Sequence, residues 1–320
     1  MTKILTIISG KGGTGKTTVA SCLAVMLSRE KNIAVADCDV DAPNLGLSLG
    51  LKEKDYSSLV KIKASEKAEL IKEKCTGCKK CLDVCSFNAI KWNKKQNIPV
   101  FDKLLCSGCG TCKIICPENA IRLKKIENAS IGVGETYGFS IISGQLKIGE
   151  SGSGRIVMEV KRKAREIAGK ENAELILVDS SAGIGCPVIA SVNGSDYVIA
   201  VTEPTPSALS DLKRGLKIVN HFGIPCGIVI NKYDLNKEFS NKIEKFAHKN
   251  KIPILGKIPY NKEFVKALVN LKPAVVYNKR FEPLFLRILN NIKKSIRFIN
   301  KKRKLYSMPG SHSLAIAKDC

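Results

Sequence analysis

Short apolar runs alternate with helical stripes over most of the chain. Residues 4–8, 33–36, 175–178, 197–201, 226–230 and 252–258 are nearly continuous in apolar side chains, and each stops at a polar or glycine-rich turn. Runs of that length predict strands buried on both faces. Between them Val19, Leu23, Met26 and Leu27 share one face at helical spacing, and similar stripes cover 156–167, 208–221 and 238–248. Strand, helix and strand in alternation predict an α/β fold, a doubly wound and mostly parallel sheet with helices on both faces. The alternation breaks off between Lys63 and Glu127, where small apolar segments separate eight cysteines and nothing reads as a long strand or helix. The simplest organisation is a discontinuous α/β domain, residues 1–62 and 129–295, with a small insertion at 63–128 and a basic tail at 296–320. So short an insertion builds little core and would rely on bound metal. A last stripe, Phe285, Ile288, Ile292, Ile296 and Ile299, predicts a closing helix over 284–304 that ends in Lys and Arg.

Composition narrows the function classes. A chain of 320 residues, 44% hydrophobic, has room for two domains and is not a mainly disordered polymer. No stretch approaches the ~20 apolar residues of a membrane span, and the first apolar run is cut off by Gly10 and Lys11, too early for a signal peptide. A cytoplasmic location is expected, where thiols stay reduced, so 13 cysteines point to metal or redox chemistry before disulfides. The formal charge of +24 is uneven: residues 61–130 hold 15 basic and 7 acidic side chains, and residues 291–320 hold 8 and 1. Basic residues around the cysteines and in the tail suit an acidic redox partner better than a nucleic-acid duplex. A Lys-rich solvated surface is the plainer reading, and contact of the tail with an anionic membrane ranks below both.

The loop after the first strand, Gly10 to Thr17, satisfies G-x-x-x-x-G-K-[ST]. Gly10, Gly12, Gly13 and Gly15, with Thr14 and Thr18, let backbone N–H groups close around phosphates at a helix N-terminus. Lys16 neutralises β/γ charge and Thr17 can ligate Mg²⁺.

A second lysine, Lys11, stands inside the same loop, and KGGTGKTT resembles the deviant Walker A loop of the MinD-like P-loop ATPases, which include the nitrogenase iron protein and the Mrp-type cluster carriers. The resemblance implies ATP, Mg²⁺ and a homodimer in which Lys11 reaches the phosphates across the interface. DCDVDAPN resembles switch I, with Asp39 at the position that orients the attacking water and Asp37 in the Mg²⁺ shell. LILVDSSAGIGC resembles Walker B and switch II, with Asp179 as the Mg²⁺-linked carboxylate, though Ser181 and Ala182 stand where the family has prolines. Each aspartate alone would read as a helix cap or turn residue. Asn231 matches the family's adenine contact and Pro259 the loop that covers the ring. The letters NKYD at 231–234 also match a guanine-reading motif, and the Lys11 loop tips the choice to ATP.

The cysteines repeat one pattern. Cys75, Cys78, Cys81 and Cys85 read C-x₂-C-x₂-C-x₃-C, and Cys106, Cys109, Cys112 and Cys116 read it again, with Ser86 after the first run and Pro117 after the second. This is the two-cluster ferredoxin spacing, whose fourth cysteine ligates the other cluster. The expected sets are Cys75, Cys78, Cys81 and Cys116 for one [4Fe–4S], and Cys106, Cys109, Cys112 and Cys85 for the other. Paired zinc sites and disulfides are the competing readings, and neither needs three cysteines in seven residues. The combination with VTEPTPSALSDLKR at 201–214 resembles a subgroup of MinD-like ATPases with an inserted ferredoxin domain. Cys22, Cys38 and Cys226 read as packing residues and Cys320 as free. Cys186 lies seven residues after Asp179, where the nitrogenase iron protein places a cluster-bridging cysteine, but no second cysteine between Glu127 and Asp179 completes a pair.

The expected function is an ATP-hydrolysing homodimer that couples nucleotide state to electron transfer or to docking of a redox partner. The alternatives are an iron–sulfur or metal carrier, and a MinD-like positioning switch in which the cysteine module is a structural or sensing element.

Overall fold

The computed structural model describes residues 2–306, apart from the side chains of Ser58 and of residues 297–306. In chain order the strands are β1 (Lys3–Ser9), β2 (Ile33–Cys38), β3 (Ser57–Ile62), β4 (Ser65–Leu70), β5 (Ile90–Asn93), β6 (Ile98–Phe101) and β7 (Ile121–Ile126). They continue with β8 (Ala129–Thr136), β9 (Phe139–Leu146), β10 (Leu175–Ala182), β11 (Tyr197–Thr202), β12 (Cys226–Asn231) and β13 (Ile254–Ile258). The α-helices are α1 (Lys16–Ser28), α2 (Leu45–Ser48), α3 (Lys80–Asp83), α4 (Thr111–Ile115), α5 (Ser153–Lys170) and α6 (Cys186–Val192). After them come α7 (Pro206–His221), α8 (Lys237–Lys249), α9 (Lys262–Val269), α10 (Ala274–Tyr277) and α11 (Glu282–Tyr306).

Nine strands form one sheet in the order β13-β12-β11-β1-β10-β2-β9-β8-β3. It is parallel from β13 to β9, and β8 and β3 close one edge antiparallel. Every residue of β2 and β11 is buried, which is why their sequences are continuous in apolar residues rather than alternating. On one face Val19, Leu23 and Met26 of α1 pack with Ile7, Val35 and Phe285. On the other, Ile156, Val160 and Ala164 of α5 cover Ala36, Ile142 and Val178, while Leu212 and Leu216 of α7 lie over Ile8 and Ala200. Register then places chemistry at the C-terminal ends of the central strands. Asp179 of β10 stands opposite Ile7 of β1 on one side and Asp37 of β2 on the other.

Two features differ from the sequence reading. The β8–β9 hairpin and β3 were not expected, since ASIGVGET and FSIISGQL mix glycine and serine with apolar residues. The hairpin turns at Tyr137 and Gly138, both at positive φ (49° and 76°), the two-residue turn that matches strand twist. The boundary expected at residue 296 falls inside α11, which runs without a break to Tyr306. Residues 307–320, with Cys320, lie outside the described residues.

Residues 65–126 contribute no strand to the nine-stranded sheet. They form two antiparallel pairs, β4 with β7 and β5 with β6, around a small core of Ala68, Cys81, Ala89, Ile90, Cys106 and Ile121. The segment is an internal repeat in backbone as well as sequence. Gly77 and Gly108 each sit at φ 73°, Lys79 and Gly110 follow at 64° and 82°, and Asn88 and Asn119 at 49° and 48°. No described helix is long and apolar enough to cross a membrane.

Candidate functional site

The loop between β1 and α1 is shaped by close approaches. A Cβ at Gly10 would meet the backbone of Asp211 at 2.4 Å, and one at Gly15, which has φ 88°, would meet Asn231 Nδ2 at 2.2 Å. Glycine is therefore required at Gly10 by the unyielding backbone beside it, and at Gly13 and Gly15 by their φ of 78° and 88°. Gly12 has open space around it. Thr14 is buried, its hydroxyl without a protein partner, and Thr18 lines the cavity beyond the loop. An orphaned buried hydroxyl inside a loop of helix-terminal N–H groups fits a phosphate-bearing ligand.

Three carboxylates face Lys16. Its Nζ donates to Asp179 Oδ1 at 2.7 Å and lies 3.9 Å from Asp39 Oδ2, and Thr17 Oγ1 donates to Asp179 Oδ2 at 2.8 Å. Burial works against the Lys16 ammonium, yet Asp179, with Asp39 and Asp37 beyond it, holds its pKa above the ordinary value. Asp37 is fully buried and accepts from the backbone N–H groups of Asp39 (3.2 Å) and Leu45 (3.1 Å), which stiffens its own loop. Burial, then the adjacent Asp179 carboxylate, pushes Asp37 up to about 8 against the pull of Lys16. Burial likewise raises Asp39, with Lys16 opposing. Crowded carboxylates beside a threonine hydroxyl fit a divalent cation, whose charge would relieve the repulsion. Ser181, one of the residues in place of the family's prolines, donates through Oγ to Cys38 O at 3.0 Å and so anchors the strand end that follows Asp179.

Lys11 is held within the chain. Its Nζ lies 2.8 Å from Glu203 Oε1, while Glu203 Oε2 takes Lys232 Nζ at 3.0 Å and Lys232 also donates to Gly13 O at 2.9 Å. Burial disfavours the Glu203 charge, but the two lysines hold its pKa below the ordinary value. Sequence reasoning did not single out Glu203 or Lys232. Both lie in segments noted for other reasons, Glu203 in 201–214 and Lys232 in NKYD, each just past the end of a strand beside the phosphate loop.

Beyond the loop lies a cavity lined by Gly13, Thr18, Asn231, Pro259, Phe264 and Phe285. Asn231 spends its amide on the loop, Nδ2 donating to Thr14 O at 2.8 Å. Asp234 Oδ1 accepts from Tyr260 N at 2.6 Å and ties the NKYD segment to the proline loop.

The eight cysteines of the insertion divide between two cavities. One is lined by Cys75, Cys78, Cys81 and Cys116, and the other by Cys85, Cys106, Cys109 and Cys112. The surrounding backbone donates to sulfur: Ala89 N to Cys85 Sγ (3.3 Å), Ala120 N to Cys116 Sγ (3.2 Å) and Ala68 N to Cys106 Sγ (3.5 Å). Burial pushes the free Cys81 thiol up to about 11, whereas hydrogen bonding to Thr111 holds Cys109 below its ordinary value. No cysteine among the described residues is in a disulfide, and none of their His, Cys, Asp and Glu side chains converge in threes on a single metal ion. A cubane places each thiolate on a different iron, so four separated sulfurs around an apolar cavity fit that group. Cys22 and Cys38 are buried, with burial raising both to about 12, while Cys226 is half-buried. Cys186 is exposed at the start of α6.

A model of the CobQ/CobB/MinD/ParA nucleotide binding domain matches residues 5–274. An uncharacterised protein of Methanocaldococcus jannaschii is 41% identical over 232 residues, 72% of this chain and 79% of that protein. A second from the same organism is 31% identical over 299 residues, 86% and 92% of the two chains. The solved structure of the septum site-determining protein MinD from Pyrococcus horikoshii, complexed with Mg-ADP, superposes with a TM-score of 0.57 at 21% identity, covering 92% of this chain and 97% of that one. At that identity the likeness is one of fold.

Proposed function

The chain belongs to the CobQ/CobB/MinD/ParA nucleotide-binding family, and on that premise we propose that it hydrolyses Mg-ATP as a homodimer and couples nucleotide state to electron transfer, or to docking of a redox partner, through two [4Fe–4S] clusters. The observation that carries the iron–sulfur part is the division of eight cysteines into two four-sulfur cavities, each fed by backbone N–H groups. Residues 63–128 are then a separate cluster-bearing unit inserted into an ATPase domain.

In this reading the loop from Gly10 to Thr18 cradles the triphosphate and Lys16 shares its charge between Asp179 and the β/γ oxygens. Thr17, Asp37 and Asp179 hold the Mg²⁺ shell. Asp39, half-buried and raised in pKa, orients a water on the γ-phosphorus and takes its proton as the bond to the β,γ-bridging oxygen breaks, leaving ADP and phosphate. Lys11 leaves Glu203 to meet the phosphates of the partner protomer. Asn231 and Pro259 border the adenine. The clusters supply one-electron chemistry when bound, and the cysteine sets named above hold them.

The test is anaerobic purification followed by iron analysis and EPR of the reduced protein. About eight irons per chain and two interacting cubane signals are expected, with electron donation to an artificial acceptor that changes between Mg-ADP and a non-hydrolysable ATP analogue. Zinc in place of iron overturns the cluster assignment. Equal donation rates in every nucleotide state overturn the coupling.

A further inference from the structure

One loop touches the phosphate side of the molecule and the cysteine side together. Residues 147–152 connect β9 to α5. At its start Leu146 N donates to Val40 O at 2.8 Å, beside Asp39. Beyond its end, a Cβ on Gly154 would meet Cys186 Cβ at 3.1 Å, so α5 presses on the start of α6 just past Asp179. In the middle, Glu150 Oε2, buried and in no hydrogen bond, lies 3.1 Å from the Nζ of Lys67, an ion pair held by charge and distance, and Lys67, only 4% exposed, donates from Nζ to Cys106 O at 2.9 Å. The neighbours of Lys67 grip the same turn: Ala68 N donates to Cys106 Sγ, and Gly108 packs so closely on Glu66 O that a Cβ would stand 2.1 Å from it. Asn128, fully buried, fastens the ends of the insertion to this loop, accepting from Ala64 N and donating to Ser151 O, each at 2.8 Å.

A charged lysine this buried is costly unless its partners are fixed. Here they are a carboxylate of the loop between the two phosphate-side segments and the carbonyl of a cluster cysteine. The described path from that loop runs through Lys67 to Cys106, and no described hydrogen bond or ion pair joins Lys67 or the loop to Cys75, Cys78, Cys81 or Cys116. We propose that Lys67 and Glu150 are positioning residues that carry nucleotide state to the cluster of Cys85, Cys106, Cys109 and Cys112, and that this cluster alone is nucleotide-sensitive. A shift of the loop would move the Lys67 charge relative to Cys106, and hydrogen bonding and charge near the sulfurs set a cluster's potential. The inference rests on the ATP and cluster reading above.

The experiment is redox titration by EPR of the anaerobic full chain with no nucleotide, Mg-ADP or a non-hydrolysable ATP analogue. In the unaltered protein one of two midpoint potentials is expected to respond to nucleotide, and Cys109→Ser identifies its cluster by altering that signal. Glu150→Gln, which keeps the shape of the side chain, is expected to retain both signals and ATP turnover within about twofold while losing most of the response, since couplings of this kind are worth roughly 5–150-fold. Lys67→Arg should keep part of the response and Lys67→Met none. If Lys67→Met fails to hold iron, Glu150→Gln decides. A response that survives Glu150→Gln, resides in the Cys75 set, or is absent from the unaltered protein overturns the proposal. Failure of the underlying reading looks different: no cubane signals, or no nucleotide binding, in the unaltered protein.

Discussion

Asp179 accepts from Lys16 and Thr17 at once, so its replacement leaves the buried ammonium without that hydrogen bond and with Asp39, at 3.9 Å, as its remaining ion-pair partner. Asp179→Ala is expected to cost about 1–3 kcal/mol in the metal-free protein, checked by urea unfolding, and to abolish phosphate release. Glu203→Gln acts in the opposite sense. Releasing Lys11 and Lys232 from their shared carboxylate should lower the ATP concentration needed for dimerisation, read by light scattering, and an unchanged midpoint would show that Lys11 is not restrained there. Another buried charge lies away from the site. Lys161 Nζ donates to the carbonyls of Ala190, Ser191 and Asn193, and burial pushes its pKa down to about 8. The unfolded chain, with a lysine pKa of ~10.4, binds more protons above pH 8, so this group makes stability rise with pH between about 8 and 10.4. Lys161→Met should remove that rise, measured as the difference in unfolding free energy across the window.

At the scale of elements, the strands of the parallel sheet other than β9, and the long helices α5, α7 and α8, were legible because continuous apolar runs and 3.6-residue stripes are local records of burial. The β8–β9 hairpin was not, since its glycines and serines pack against β2 and β3 and leave no clean alternation, although Tyr137-Gly138 was a usable turn signal. The short strands of the insertion were equally obscure, their four to six residues being too few to show a period. The phosphate loop offers a prediction at this scale. Gly15→Ala forces a Cβ against Asn231 at a left-handed φ, so it should displace both the loop and the base segment and abolish nucleotide binding. Binding measured by calorimetry checks this, and unchanged affinity would mean that the two segments move independently.

For the molecule as a whole, the two parts have unequal resources. The nine-stranded sheet buries large apolar clusters on both faces, while residues 65–126 bury only a few apolar side chains around the two cysteine cavities. If the proposed clusters are present, removing their iron with a chelator is expected to open the insertion to protease while the sheet persists, giving fragments cut within 63–128 and a second, higher thermal transition. A single cooperative transition would instead mean that the parts fold as one unit. Sequence by itself determined what is written in short spacings: the phosphate loop, the doubled cysteine run, and the strand–helix alternation of a parallel sheet. Each depends on backbone geometry over a few residues, so each is readable without the fold. Only the tertiary structure decided that Asp37 and Asp179 stand in register, that Glu203 joins Lys11 to Lys232, and that Lys67 links Cys106 to Glu150. Those contacts join residues far apart in the chain, and only strand order and packing bring them together.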